Sequence, residues 1–255
     1  MATGTKPSLS LLIEPGDWGD ARIQDIGQLL CDVAKQLVRH FSDPPTGRVR
    51  VQCRPNESNP RVLYRQSSDD DYIVWLTARD RLWSKLAYQF AHEFCHIACD
   101  YERLRASPNN WFQESLCELA SIFAIKQMGT MWQSAPPYPN WRDYASSLDK
   151  YADDLINRET YSLAPGVSLG EWLRINESGL RADSCQRELN GVVACQLLPL
   201  LQNAPQHWQA VRHMPDTSAP FGEFLSLWHQ ACRDQHKIFV SQIANLFSFK
   251  IPDKD

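Results

Sequence analysis

The segment from Ser84 to Tyr101 contains neither glycine nor proline, and its apolar residues Leu86, Phe90, Phe94 and Ile97 recur at steps of three and four. That is the period of an α-helix with one face turned toward a core. The constraint is sharper than a helix alone, because His92 and His96 stand four apart within it and Glu93 lies between them. Residues four apart sit one turn apart on the same helical face, so both imidazoles reach a single point in space. A carboxylate beside the first histidine lies within reach of a water held at that point. Two readings fit the pair: ordinary half-buried histidines, or two nitrogen ligands of one metal ion with an adjacent acid–base group. The H-E-x-x-H order favours the second.

Zinc in hydrolases takes three protein ligands and leaves a fourth position to water, so a third donor is needed. No further histidine follows at short spacing; residue 99 is Cys and residue 102 is Glu. A second helix follows instead. Ser107 and Pro108 read as its N-cap and first helical residue. Leu116, Leu119, Ala120, Phe123 and Ala124 form its apolar stripe, running to about Met128 with Gly129 as the stop. So short a connection favours antiparallel packing. Glu114 then faces back toward the histidines. Glu118, one turn on, is placed to hydrogen-bond the far nitrogen of a ligand histidine and fix its tautomer.

His92-Glu93-x-x-His96, followed by Trp111-Phe112-Gln113-Glu114 and a carboxylate at Glu118, resembles the gluzincin metallopeptidases, the thermolysin-like and aminopeptidase-like clan. Gln113 stands where that clan usually has Asn, and Glu118 where thermolysin-like members have Asp. The match covers residues 72–129. The resemblance implies Zn2+ bound by His92, His96 and Glu114, with Glu93 as general base and proton shuttle in peptide-bond hydrolysis. It also implies an α+β, zincin-like fold: a small N-terminal sheet with the active-site helices (1–131), then a mainly helical C-terminal subdomain (132–255).

The rest of the chain agrees with that order of elements. Leu9 to Glu14 reads as a strand, Ala21 to Phe41 as a helix, Val49 to Cys53 and Arg61 to Arg65 as strands, and Tyr72 to Ala78 as the clearest strand. In a zincin the last strand tends to border the cleft, where an extended peptide pairs with it; residues 72–78 fit that position or an internal one. Asp69-Asp70-Asp71 reads as a solvated loop. Trp83 reads as a packing anchor. The Pro- and aromatic-rich stretch 132–145 is either a wall of the cleft or a staple between halves. Helices are expected over 143–158, over 168–176 with Ser168 as cap, over Glu188 to Leu201 and from Phe221 to about Phe247.

Composition narrows the function classes. The 255 residues carry a net charge of -4 and no basic run, so nucleic acid is not an expected partner. No stretch approaches the roughly 20 apolar residues that span a bilayer, so no membrane is expected. The N-terminus lacks a secretory pattern. The eight cysteines, several on apolar helical stretches, then read as reduced core residues of a cytoplasmic protein. Cys95 and Cys117 are among them, although both lie close to ligand positions.

The reaction also needs a donor for the developing oxyanion. The segment Glu188-Leu189-Asn190-Gly191-Val192 aligns with the Y-x-x-G-A helix start that supplies a tyrosine in aminopeptidase-like relatives, but has Glu in its place. Tyr144, Tyr151, Tyr161, Arg181, Arg187, His207, His213 and His229 are the candidates that remain, with Tyr161 favoured. The G-x-M-E-N segment of those aminopeptidases is absent. The leading expectation is therefore a peptidase acting on a peptide or protein substrate. The alternative is a zincin-fold binding or regulatory protein that holds metal with little or no turnover.

Overall fold

Alternation of Val49, Val51 and Cys53 with Arg48, Arg50 and Gln52 turns one face of that segment inward, and it forms a strand. The computed structural model describes residues 9–64, 71–104 and 107–251; Asp69 and Asp70 of the expected acidic loop lie outside them. Strand β1 (Leu9–Ile13), helix α1 (Ile23–Val38) and strand β2 (Gly47–Cys53) make a parallel βαβ unit, with Leu11 opposite Val49 and Ile13 opposite Val51. Strand β3 (Arg61–Leu63) and strand β4 (Tyr72–Leu76) complete a sheet of order β1-β2-β4-β3. β4 runs parallel to β2, and β3 runs antiparallel to β4 with Val62 opposite Val74. The segment at 72–78 is thus the internal strand of the two options, and β3 is the edge. Tyr72, Val74 and Leu76 are buried, as a strand paired on both sides requires.

Helix α2 (Trp83–Ala98) packs beside α1 against the sheet, and helix α3 (Asn110–Trp132) packs antiparallel to α2. The direction follows from the contacts: Ser121 Oγ donates to Tyr88 O at 3.0 Å, whereas Cys95 Sγ, further along α2, meets the earlier Leu116 O at 3.8 Å. α3 is buried on every face, as a helix apolar all round must be. Helices α4 (Ala145–Ile156), α5 (Leu169–Ala182) and α6 (Arg187–Asn203) pack against it. α5 begins with the expected cap: Ser168 Oγ accepts from Glu171 N at 3.2 Å, and Glu171 Oε2 accepts from Ser168 N at 2.9 Å. The short helix α7 (Trp208–Val211) precedes α8 (Phe221–Ala231) and α9 (Asp234–Leu246). The stretch from Phe221 to about Phe247 is helical as expected, in two helices separated at extended Cys232 and Arg233. The architecture is α+β. No helix among the described residues is long and apolar enough to cross a membrane.

Two local expectations need correction. α3 starts at Asn110, not at Pro108. Ser107 instead forms a turn, its Oγ accepting from Asn109 N at 3.2 Å and donating to Thr217 O at 3.1 Å. Asn109 Nδ2 donates to Ala219 O at 3.0 Å, and Trp111 and Phe112 pack at a tilt against Phe221, at 4.7 and 5.1 Å between ring centroids. The start of α3 is thus anchored by tertiary contacts. Nor does Gly129 end the helix, which runs on to Trp132. A Cβ at Gly129 would lie 2.8 Å from Asp149 Oδ1, so this glycine permits α4 to approach. Of the two options left open for the 132–145 stretch, its contacts are those of the staple. Trp141 stacks between Trp83 and Trp132 at 5.6 and 5.3 Å, and Trp132 Nε1 donates to Asp32 Oδ2 on α1 at 2.6 Å.

Gly191 of α6 is a second close approach: a Cβ there would sit 2.4 Å from two atoms of the Tyr161 ring. Alanine gains about 1 kcal/mol of helix propensity, but overpacking an aromatic held in the core costs about 1–3 kcal/mol and more where neither side can move. Gly191→Ala is expected to be destabilised by about 1–2 kcal/mol, measured by denaturant unfolding; an unchanged midpoint would show that the Tyr161 ring is free to shift.

Candidate metal centre

α2 and α3 bring the predicted residues together because their polar side chains fall on the shared interface. His92 Nε2 lies 3.1 Å from Glu114 Oε2, and His96 Nε2 lies 3.6 Å from Glu114 Oε1. One carboxylate therefore spans both imidazoles. Glu93 opens on the same cleft, which has a volume of about 380 Å³ and is also lined by Val62, Tyr64, Tyr88, Gln89, Cys185, Arg187 and Asn190. Edge strand β3 forms one wall, through Arg61 and Val62.

Below the histidines lies a second carboxylate. Glu118 is 2% exposed and accepts hydrogen bonds from both the Tyr88 hydroxyl and the Tyr161 hydroxyl, the latter at 2.9 Å. Its Oε2 is 3.8 Å from His92 Nδ1, too long for a hydrogen bond but near enough for its charge to act on the ring. Tyr88 is a site residue that no motif singles out, although its position four residues before His92 is a usable signal. Tyr161, expected as the oxyanion donor, lies elsewhere: it is 1% exposed and bonded to Glu118 beneath the cleft. Among the described residues, Arg187 lines the cleft, whereas Tyr144, Tyr151, Arg181, His207, His213 and His229 do not.

The electrostatics separate four adjacent groups. Burial lowers the pKa of His92, but the hydrogen bond to Glu114 and the charges of Glu93, Glu114 and Glu118 outweigh it and raise it to about 9. Burial dominates at His96, lowered to about 4. Burial also lifts Glu93 to about 7, against opposing help from His92 and from the Val62 backbone. Glu114 is pushed up by burial, but the two imidazoles hold it down at about 2.

Two imidazoles and a carboxylate are residue types that could hold a metal ion. Cys117 competes for the third place. One ring nitrogen from each of His92 and His96 and the Cys117 sulfur all lie within 4.8 Å of one another. Cys117 follows Glu114 by three residues on α3 and is fully buried, its thiol pushed up to about 12 by burial. A search of protein-family models, curated proteins and solved structures found no match to the chain.

The His92 shift has a stability consequence in the metal-free chain. Its folded pKa of about 9 exceeds the ordinary 6.5, so its contribution is fully present below pH 6.5 and is lost as pH rises through about 9. The difference in unfolding free energy between the metal-free wild type and His92→Gln is expected to shrink across that window, measured by urea denaturation at several pH values. A difference independent of pH would refute the His92–Glu114 pairing.

Proposed function

We propose that the chain is a zinc-dependent metallopeptidase of gluzincin type, built on a zincin-like fold. The observation that carries this reading is the Glu114 carboxylate spanning the imidazoles of His92 and His96, with Glu93 opening on the same cleft. A zinc ion held by His92, His96 and Glu114 would supply Lewis acidity toward a carbonyl and lower the pKa of a water to about 7. The chain's own groups do the rest. Glu93, raised to about 7 by burial, exchanges a proton near neutrality; it takes one from the attacking water and returns it to the leaving amine. Glu118, fixed by Tyr88 and Tyr161, sets the charge behind His92. β3 is an edge strand, and an extended peptide laid along it would gain main-chain hydrogen bonds beside Glu93.

The wild type is expected to bind one zinc per chain, lost in His92→Ala and in Glu114→Ala, by elemental analysis. Glu93→Gln is expected to keep the zinc and to lose about 10²–10⁴-fold in cleavage of a diverse peptide pool. Equal, negligible cleavage by wild type and Glu93→Gln would sink the peptidase reading.

One observation favours a second reading, a metal-holding protein with little or no turnover. The Cys117 sulfur lies within 4.8 Å of a ring nitrogen of each histidine; joined to Glu114, which spans the same two imidazoles, it would give four protein ligands and close the site, as in structural zinc centres. Cobalt substitution separates the two. The open site is expected to show no sulfur-to-cobalt charge-transfer absorption; a band that vanishes in Cys117→Ala would establish the closed one.

A further inference from the structure

Two arginines line the cleft, Arg61 and Arg187. Arg61 is already engaged: its Nη2 lies 3.2 Å from Glu57 Oε2, and its guanidinium lies over the Trp75 ring at 5.2 Å. Arg187 is different. It is the first residue of α6, and its guanidinium rests 5.9 Å from the centroid of the Tyr88 ring. It makes no hydrogen bond or ion pair among the described residues. The acceptors nearby are occupied, Glu118 by the two tyrosines and Glu114 by the two imidazoles. The Tyr88 ring is itself fixed through its hydroxyl on Glu118, so the guanidinium sits on an immobile aromatic face. The result is a positioned cation with its donors unspent, facing the cleft that contains Glu93.

A guanidinium presents five N–H donors in a planar fork that matches a carboxylate bidentately. We propose that Arg187 is a specificity residue that receives a carboxylate of the bound peptide, from either a free C-terminus or an acidic side chain next to the reacting bond. The choice of reacting bond rests on the peptidase reading; the carboxylate recognition does not.

The test uses the intact chain carrying Glu93→Gln, which binds peptides without consuming them. A pool of N-acetylated peptides is prepared in four forms, with a free or amidated C-terminus and with Glu or Gln beside it, and binding is read by titration calorimetry. One of the carboxylate forms is expected to bind about ten- to hundredfold more tightly than its neutral counterpart, and which form does so identifies the source. Adding Arg187→Gln is expected to erase the preference; Arg187→Lys, which keeps the charge but not the fork, is expected to retain part of it. Equal binding of acid and neutral forms overturns the proposal. So does a preference that survives in Arg187→Gln with unchanged zinc content, since the carboxylate would then be reading the metal. In wild-type kinetics Arg187→Gln is expected to raise KM for the acidic substrate alone. A fall in kcat for all four forms would assign it to the oxyanion instead. Carboxylate-dependent binding without any wild-type cleavage removes the peptidase reading and leaves Arg187 in place, whereas cleavage without the preference does the reverse.

Discussion

Two carboxylates carried by one buried helix dictate much of the arrangement around them. Glu114 and Glu118 sit on α3, which is enclosed on all sides. A buried carboxylate left without partners costs several kcal/mol or gives up its charge. Each is answered from a different direction. Two imidazoles on α2 answer Glu114, and two phenols answer Glu118, one from α2 and one from the turn at Glu159–Tyr161. The second phenol ties remote parts of the chain together. The Tyr161 ring fits against α6 only because residue 191 has no side chain. That contact sets α6 in position, and with it Arg187 at its first turn. The centre, its support and the cation at its rim are consequences of one requirement.

The same burial acts with opposite sign on neighbouring groups, and partners decide each outcome. His92 and His96 lie on one face of one helix, yet one is raised to about 9 and the other lowered to about 4. The difference is that His92 is hydrogen-bonded to Glu114 and flanked by three carboxylates, whereas at His96 desolvation exceeds the attraction of Glu114. At Glu93 the charge of His92 opposes burial without cancelling it, so its pKa is raised to about 7 while that of Glu114 is held at about 2. Two carboxyl groups pushed apart in this way suit different tasks: one exchanges protons at neutrality and the other stays charged.

Much of this is legible in the chain because it is local. The helical period around His92, the spacing of His92 and His96, and the position of Glu114 and Glu118 on a following helix need only neighbours in sequence. The features that sequence misplaces depend on contacts between distant residues. Gly129 has the position of a helix stop, but nothing local distinguishes that from a glycine that admits α4. Ser107-Pro108 has the form of a helix start, yet the polar side chains of Ser107 and Asn109 bond carbonyls at Thr217 and Ala219. The three residues of β3 are too few to show alternation, so its edge position cannot be read apart from the pairing with β4. Tyr161 is recognisable as a phenol, but its direction is set by Glu118 and Gly191. Nothing in the sequence ranks Arg187 above Arg181, because which cation lacks a partner is a property of the fold.

Whether a metal ion held by His92 and His96 would sit in an open or a closed site turns on which α3 side chain would serve as third donor. Glu114 and Cys117 are three residues apart, and the histidine pair lies within reach of both. They do not compete on equal terms. The Glu114 carboxyl, held at about 2, is already ionised at neutral pH and faces the cleft. The Cys117 thiol, pushed up to about 12 by burial, must lose a proton before it can bind. At neutral pH the thiol would have to give up a proton that the carboxylate has already lost, an exchange that a thiophilic ion favours most. Glu114 also lines the cleft that Glu93 and the edge strand β3 share, whereas Cys117 lies buried behind it.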